Sequence, residues 1–108
     1  MDFLLSEEQQ SFVDSVEAFA REHVEPGIVE RDRAGTWPEE IWKEVAGFGL
    51  AGLPVPVEYG GSGADILTTG LALEALAYGG RDAGLNLSLG AHLTIGCMPI
   101  VLHGTEEQ

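Results

Sequence analysis

Basic residues are scarce in this chain: five Lys and Arg stand against 18 Asp and Glu in 108 residues, a formal net charge of −13. Nucleic acid and anionic membrane surfaces carry the same sign, so neither is expected as a partner. Cysteine is nearly absent. The single Cys97 excludes an intrachain disulfide, fits a reducing compartment and reads as a small buried hydrophobe. The three histidines, His23, His92 and His103, share no ligand spacing with one another or with Cys97, so no metal site is expected. Also missing is the apolar–polar alternation of a half-buried strand. Leu53 to Val57 comes nearest, but Pro54 and Pro56 confine it to an edge. The amino end, MDFLLSEEQQ, has no basic region and only three consecutive apolar residues, which does not make a secretory leader, and its acids argue against a transit peptide. A cytoplasmic protein is the expectation.

What the chain does have is helix punctuation. Ser6-Glu-Glu-Gln is a capping box, and Phe12, Val13, Val16, Phe19, Ala20 and Val24 then recur at three- and four-residue steps, predicting an amphipathic helix near residues 6–25. Pro26 and Gly27 stop it, and Ile28 to Ala34 can resume as a short charged helix before Gly35. Thr36 or Trp37 is the expected cap of a second helix near 38–48, with Pro38 at its first position and Glu39 completing T-x-x-E. The stretch LAGLPVPVEYGGSGAD follows as a loop, long enough for a functional or interdomain role. Asp65 caps a third helix near 65–78, and Gly79 and Gly80 are expected to turn the chain into a fourth, near 82–103. The prediction is an all-α fold of four principal helices forming one domain over 1–108.

The fourth helix is the most informative segment. From Leu85 the chain carries no formal charge until Glu106, and only Asp65, Glu74 and Asp82 among the 18 acids lie between Gly60 and Gly104, so this half reads as built for burial. A 3.6-residue period puts Leu85, Leu89, His92, Ile95 and Pro99 on one face and other apolar residues on the rest. Gly90 and Gly96 leave room for a neighbouring backbone or a ligand, and Pro99 predicts a kink or break. Ala83 to Leu102 is long enough to cross a bilayer, but Asn86, Ser88, His92 and Thr94 interrupt it and no basic flank follows, so it is read as a buried protein helix rather than a membrane span. After Gly104, Thr105 to Gln108 form T-x-x-Q, the start signal of a further helix, so the chain is expected to be the amino-terminal piece of something longer.

Few residues carry chemistry. Gly60, Gly61 and Gly63 have neither a preceding strand nor a nearby Lys and read as a flexible turn, not a phosphate cradle. Ser88 and His92 stand four apart and can touch, but lack a third orienting group. Glu74 is a lone acid in an apolar helix, with Arg81 seven residues on as its expected partner. No catalytic set emerges.

The order of a capped acidic helix, TWPEEIWKEVAGFGLAGLPVPVEYGGSGAD and LALEALAYGGRDAGLNLSLGAHLTIGCMPIVLHGTEEQ resembles the N-terminal helical domain of the acyl-CoA dehydrogenases. Its most specific parts are P-x-E-Y-G-G-x-G at Pro56 to Gly63, L-E-x-L-A at Leu73 to Ala77, and G-A-H at Gly90 to His92 followed by P-I and G-T-E-E-Q. Val57 departs from the second acidic or polar residue more common there. The resemblance implies a flavoenzyme that oxidises the Cα–Cβ bond of an acyl-CoA thioester with FAD, is reoxidised by an electron-transferring flavoprotein and is usually tetrameric. It places the catalytic Glu in a C-terminal helical domain and most FAD contacts in a middle β-domain, so no catalytic residue is expected here and Glu74 does not inherit the base's role. It also places the first half of the fourth helix beside the acyl chain, making Leu87, Ser88, Ala91, His92 and Ile95 the candidate lining. The alternative is a noncatalytic helical module that uses the same apolar face to bind a protein partner.

Overall fold

The computed structural model describes residues 2–108, and among them every regular element is helical. Six α-helices follow in order: α1 (Glu7–His23), α2 (Ile28–Ala34), α3 (Glu39–Gly47), α4 (Ile66–Gly80), α5 (Ala83–Ala91) and α6 (Met98–His103). Short 3₁₀ turns occupy Leu50–Gly52 and Val57–Tyr59, and a π-helical turn, His92–Cys97, joins α5 to α6. The fold is all-α as expected, with α2 as the short charged helix.

α1 begins at its capping box. Ser6 Oγ accepts from the Gln9 N–H (3.1 Å) and Gln9 Oε1 accepts from the Ser6 N–H (2.9 Å), satisfying two donors that the first turn leaves free. Its buried stripe, Val16, Ala20 and Val24, packs on the end of α4. Here the expected glycine turn is absent: Gly79 and Gly80 are the last residues of α4 and both are buried. A Cβ on Gly79 would lie 2.5 Å from the Glu17 carbonyl oxygen, and one on Gly80 2.7 Å from Val24 Cγ1. The glycines are therefore needed for close helix approach, and the turn moves on to Arg81, the one described non-glycine residue with positive φ (56°).

α2 buries none of its own apolar residues and is tied down by Arg31. The guanidinium donates to the carbonyls of Pro26 (2.7 Å) and Val24 (2.6 Å) and pairs with Asp82 Oδ2 (3.3 Å). Asp82 Oδ1 in turn accepts from the Leu85 N–H (3.0 Å), so one carboxylate links α2 to the start of α5. At α3 the expected T-x-x-E box does not form. Pro38 itself occupies the cap at φ −84°, ψ 72°, outside helical geometry, and the helix opens at Glu39, whose side chain pairs with Lys43 (3.3 Å). The glycine loop is not loose either. Ser62, Gly63 and Ala64 donate to the carbonyls of Gly52 (3.0 Å), Val55 (2.8 Å) and Leu53 (2.8 Å), and a Cβ on Gly61 would overlap the Val55 carbonyl.

From Ala83 to His103 the helix runs without the expected break. Pro99 sits in the first turn of α6, where its missing N–H costs least, and the irregularity falls one turn earlier, in the π turn, where the Met98 N–H reaches back five residues to Leu93. Underwinding there keeps four-residue steps in line: Leu85, Leu89 and Leu93 are fully buried, and Cys97 and Val101 half-buried. The sequence-derived face is thus corrected. His92, Ile95 and Pro99 are exposed, Cys97 is only half-buried, and the helix is covered by this chain on one side rather than all round. Gly104 ends the helix in extended conformation, and the terminal box closes behind it: the Thr105 N–H donates to Gln108 Oε1 (2.9 Å) and the Gln108 N–H to Thr105 Oγ1 (3.3 Å).

Candidate functional site

The uncovered side of α5 and the π turn is where the predicted lining residues fall. Leu87, Ala91 and Ile95 keep the four-residue step of the buried stripe but stand two positions on from it, about 200° around the axis. Leu87 and Ile95 are each 75% exposed, and Ala91 and Ser88 are half-buried. The strip has little polar demand of its own. Ser88 Oγ donates to the Gly84 carbonyl (2.9 Å) and Thr94 Oγ1 to the Gly90 carbonyl (2.7 Å), each bonding back along the helix. That answers the predicted Ser88–His92 contact: the hydroxyl is engaged elsewhere, and no nucleophile pair forms. Gly90 has nothing closer than Leu73 Cδ1 at 3.9 Å from a would-be Cβ, so the space it leaves is not filled by this chain.

His92 turns away from the strip. Its Nε2 lies 2.8 Å from the Ala51 carbonyl oxygen, which assigns the ring proton to Nε2, and its ring stands edge-on to Trp42 with centroids 5.9 Å apart. Cys97 Sγ lies 3.5 Å from the same nitrogen, which is already committed as a donor. Burial pushes the Cys97 thiol up from its ordinary value, which favours the thiol over the thiolate. His92 thereby pins the helix to the turn after α3. Glu74 is exposed and forms no ion pair with Arg81 among the described residues. No group of three His, Cys, Asp or Glu able to hold a metal occurs among them.

A second concavity, about 450 Å³, lies where the glycine loop meets α6 and the terminal box, lined by Val55, Tyr59, Cys97, Ile100 and Val101 with residues 104–108. Tyr59 Oη donates to Glu106 Oε2 (2.6 Å), a bond that, with the nearby carboxylates, raises the phenol above its ordinary value. Nothing in the spacing of the sequence announces this tie. Only the presence of Tyr59 in the Pro56 to Gly63 motif hints that the loop has a fixed neighbour.

The arrangement is a helical scaffold with an open apolar strip, a pinned histidine and no catalytic group on the strip. A family model described as "Acyl-CoA dehydrogenase, N-terminal domain" matches residues 6–108. The chain belongs to the acyl-CoA dehydrogenase family. Probable acyl-CoA dehydrogenase YngJ of Bacillus subtilis is 37% identical over 108 residues, which is 100% of this chain and 28% of that protein. Among solved structures, PigA with FAD and proline superposes at a TM-score of 0.92 with 37% identity, over 99% of this chain and 28% of the other. A chain from work on the electron transferring flavoprotein of Acidaminococcus fermentans, directed at flavin-based electron bifurcation, gives 0.90 with the same identity and the same coverage of both chains. The chain thus spans 28% of the length of each, and its all-helical fold is that of the family's amino-terminal domain.

Proposed function

We propose that the chain, as one helical domain over 1–108, is the amino-terminal part of a flavin-dependent acyl-CoA dehydrogenase, and that Leu87, Ser88, Ala91, His92 and Ile95 form one wall of its acyl pocket. The observation that carries the reading is the uncovered apolar strip. Leu87 and Ile95 present open hydrocarbon, and the neighbouring hydroxyls are satisfied within the helix, so an alkyl chain laid along the strip strands no polar group. Ser88 and Ala91 supply width and His92 holds the wall in place through Ala51.

The same strip does not fit the phosphates of FAD: Leu87, Ala91 and Ile95 offer no side-chain donor. On this reading the strip is a wall for the acyl group, and flavin binding is assigned mainly to parts of the protein outside this chain, where FAD would supply the acceptor for the β-hydride. This chain's share is to orient the acyl group and keep water from it. A base outside this chain that removes the α-proton, an electron-transferring flavoprotein that takes the electrons and a tetrameric assembly are taken from the family resemblance, not from these residues.

The test is a chain-length profile in the full-length protein. Leu87→Phe and Ile95→Phe should each lower kcat/KM for long acyl-CoA substrates about tenfold or more while leaving butyryl-CoA within about twofold, because a ring in the wall shortens the space available. Identical profiles in both variants would remove these residues from the pocket. Separately, the 108 residues alone, mixed with FAD and desalted, should retain no yellow colour, and stoichiometric retention would overturn the division of roles.

A further inference from the structure

We propose, resting on the reading of the open strip as an acyl wall, that His92 is a positioning residue of that wall: by tying the π turn that carries Ile95 to the turn after α3, it sets how long an acyl chain the wall accepts. The π turn needs such a tie. It bonds five residues back, a wider and rarer winding than the α-helix on either side, so its persistence depends on what holds it from outside.

Both ends of the π turn meet one imidazole. His92, its first residue, holds Nε2 2.8 Å from the Ala51 carbonyl oxygen, and Cys97, its last, brings Sγ to 3.5 Å from that nitrogen. In an α-helix residues five apart stand about 140° from each other around the axis, so this contact exists only where the winding is widened. The far side of the tie is firm. Leu50 and Leu53, flanking Ala51 and Gly52, are buried, and the Gly52 carbonyl accepts from the Val55 N–H (3.2 Å) and the Ser62 N–H (3.0 Å). Trp42, edge-on to the imidazole with centroids 5.9 Å apart, limits the ring's rotation. Leu93 is fully buried and seats the turn on the core, but an apolar contact has no direction, whereas the hydrogen bond to Ala51 does and so fixes how the turn is rotated. Between the clipped ends Thr94, Ile95 and Gly96 are exposed, so Ile95 stands where those ends put it. It lies eight residues from Leu87, about 12 Å along the axis, and a long acyl tail meets both side chains where a butyryl group does not.

The experiment uses the full-length protein with two replacements: His92→Phe, which keeps a ring beside Trp42 but has no donor, and His92→Gln, whose amide can still reach the Ala51 carbonyl. His92→Phe should raise the ratio of KM for palmitoyl-CoA to KM for butyryl-CoA about fivefold or more, with kcat moving less than KM, and His92→Gln should bring the ratio back to within about twofold of the parent's. Hydrogen exchange over residues 94–98 should quicken about tenfold in His92→Phe and return toward the parent's rate in His92→Gln, a readout that needs no substrate. Exchange unchanged by His92→Phe, losses as large in His92→Gln as in His92→Phe, or equal losses on both substrates would each overturn the proposal. A chain-length profile moved by Ile95→Phe but not by His92→Phe also overturns it and leaves the acyl wall standing, whereas a profile moved by neither removes the wall itself and this role with it.

Discussion

Gly80 lies against Val24 with a would-be Cβ only 2.7 Å from Cγ1, and Val24 is itself fully buried, so neither partner has room to give. Gly80→Ala should destabilise the chain by about 1–3 kcal/mol in urea unfolding, in spite of alanine's better helix propensity. One residue on, the sign reverses: Arg81→Gly should stabilise by about 1 kcal/mol, because glycine meets no steric penalty at φ 56°. Asp65 gives a pH-dependent case. Hydrogen bonding from the Thr68 side chain, and then from the Thr68 N–H at 2.7 Å, holds its carboxylate below the ordinary value of 3.8 in the folded chain. A depressed folded value means that the stabilisation is complete above about pH 4 and fades as the pH falls through the folded value. Asp65→Ala should therefore melt below the parent at pH 7, and the gap between the two should close in increasingly acid buffer.

At the scale of the element, the long helix divides into a covered stripe and an open strip two positions apart. Leu89→Ala removes a fully buried side chain and should cost about 2–5 kcal/mol, whereas Leu87→Ala, at 75% exposure, should stay within about 0.5 kcal/mol. Equal losses in thermal melts of the two variants would mean that the strip is packed after all. Helix existence was legible in the sequence wherever caps carried it, as at Ser6 and Asp65, because a side-chain oxygen three residues before its backbone donor is a purely local device. Which side of the last helix is buried was not legible. A period of 3.6 sends the count from Leu89 to His92, while the π turn moves the buried position to Leu93, and a wider turn leaves no mark in composition. The glycine pair failed for a related reason. Gly79-Gly80 reads locally as a turn, and only the approach of a helix some 60 residues earlier in the chain shows that the missing Cβ atoms are a packing surface. The candidate strip was named from family resemblance more than from spacing, and Arg31 drew no attention because its partners are carbonyls and a distant Asp82.

Taken as a whole, the molecule leaves much hydrocarbon uncovered. Leu87, Ile95, Ile100 and Leu102 on the last helix are all more than half exposed, as are Ile66, Leu67 and Tyr78 on α4. Apolar surface on this scale normally has a covering partner. The 108-residue chain alone should therefore bind ANS and scatter light on concentration, with its net charge slowing the association without preventing it. A monomer with no dye binding would show that the uncovered residues do not form a continuous patch. The pairing of α1 with α4 also sets a schedule for the growing polypeptide. Ala20 leaves the ribosome about 59 residues ahead of Gly79, the residue it packs against, and at roughly 5–20 residues per second that is a wait of about 3–12 s. Throughout that interval Val16, Ala20 and Val24 have no α4 to cover them, so the first helix is a natural client for chaperones that hold emerging chains, and it is released only when the two glycines arrive.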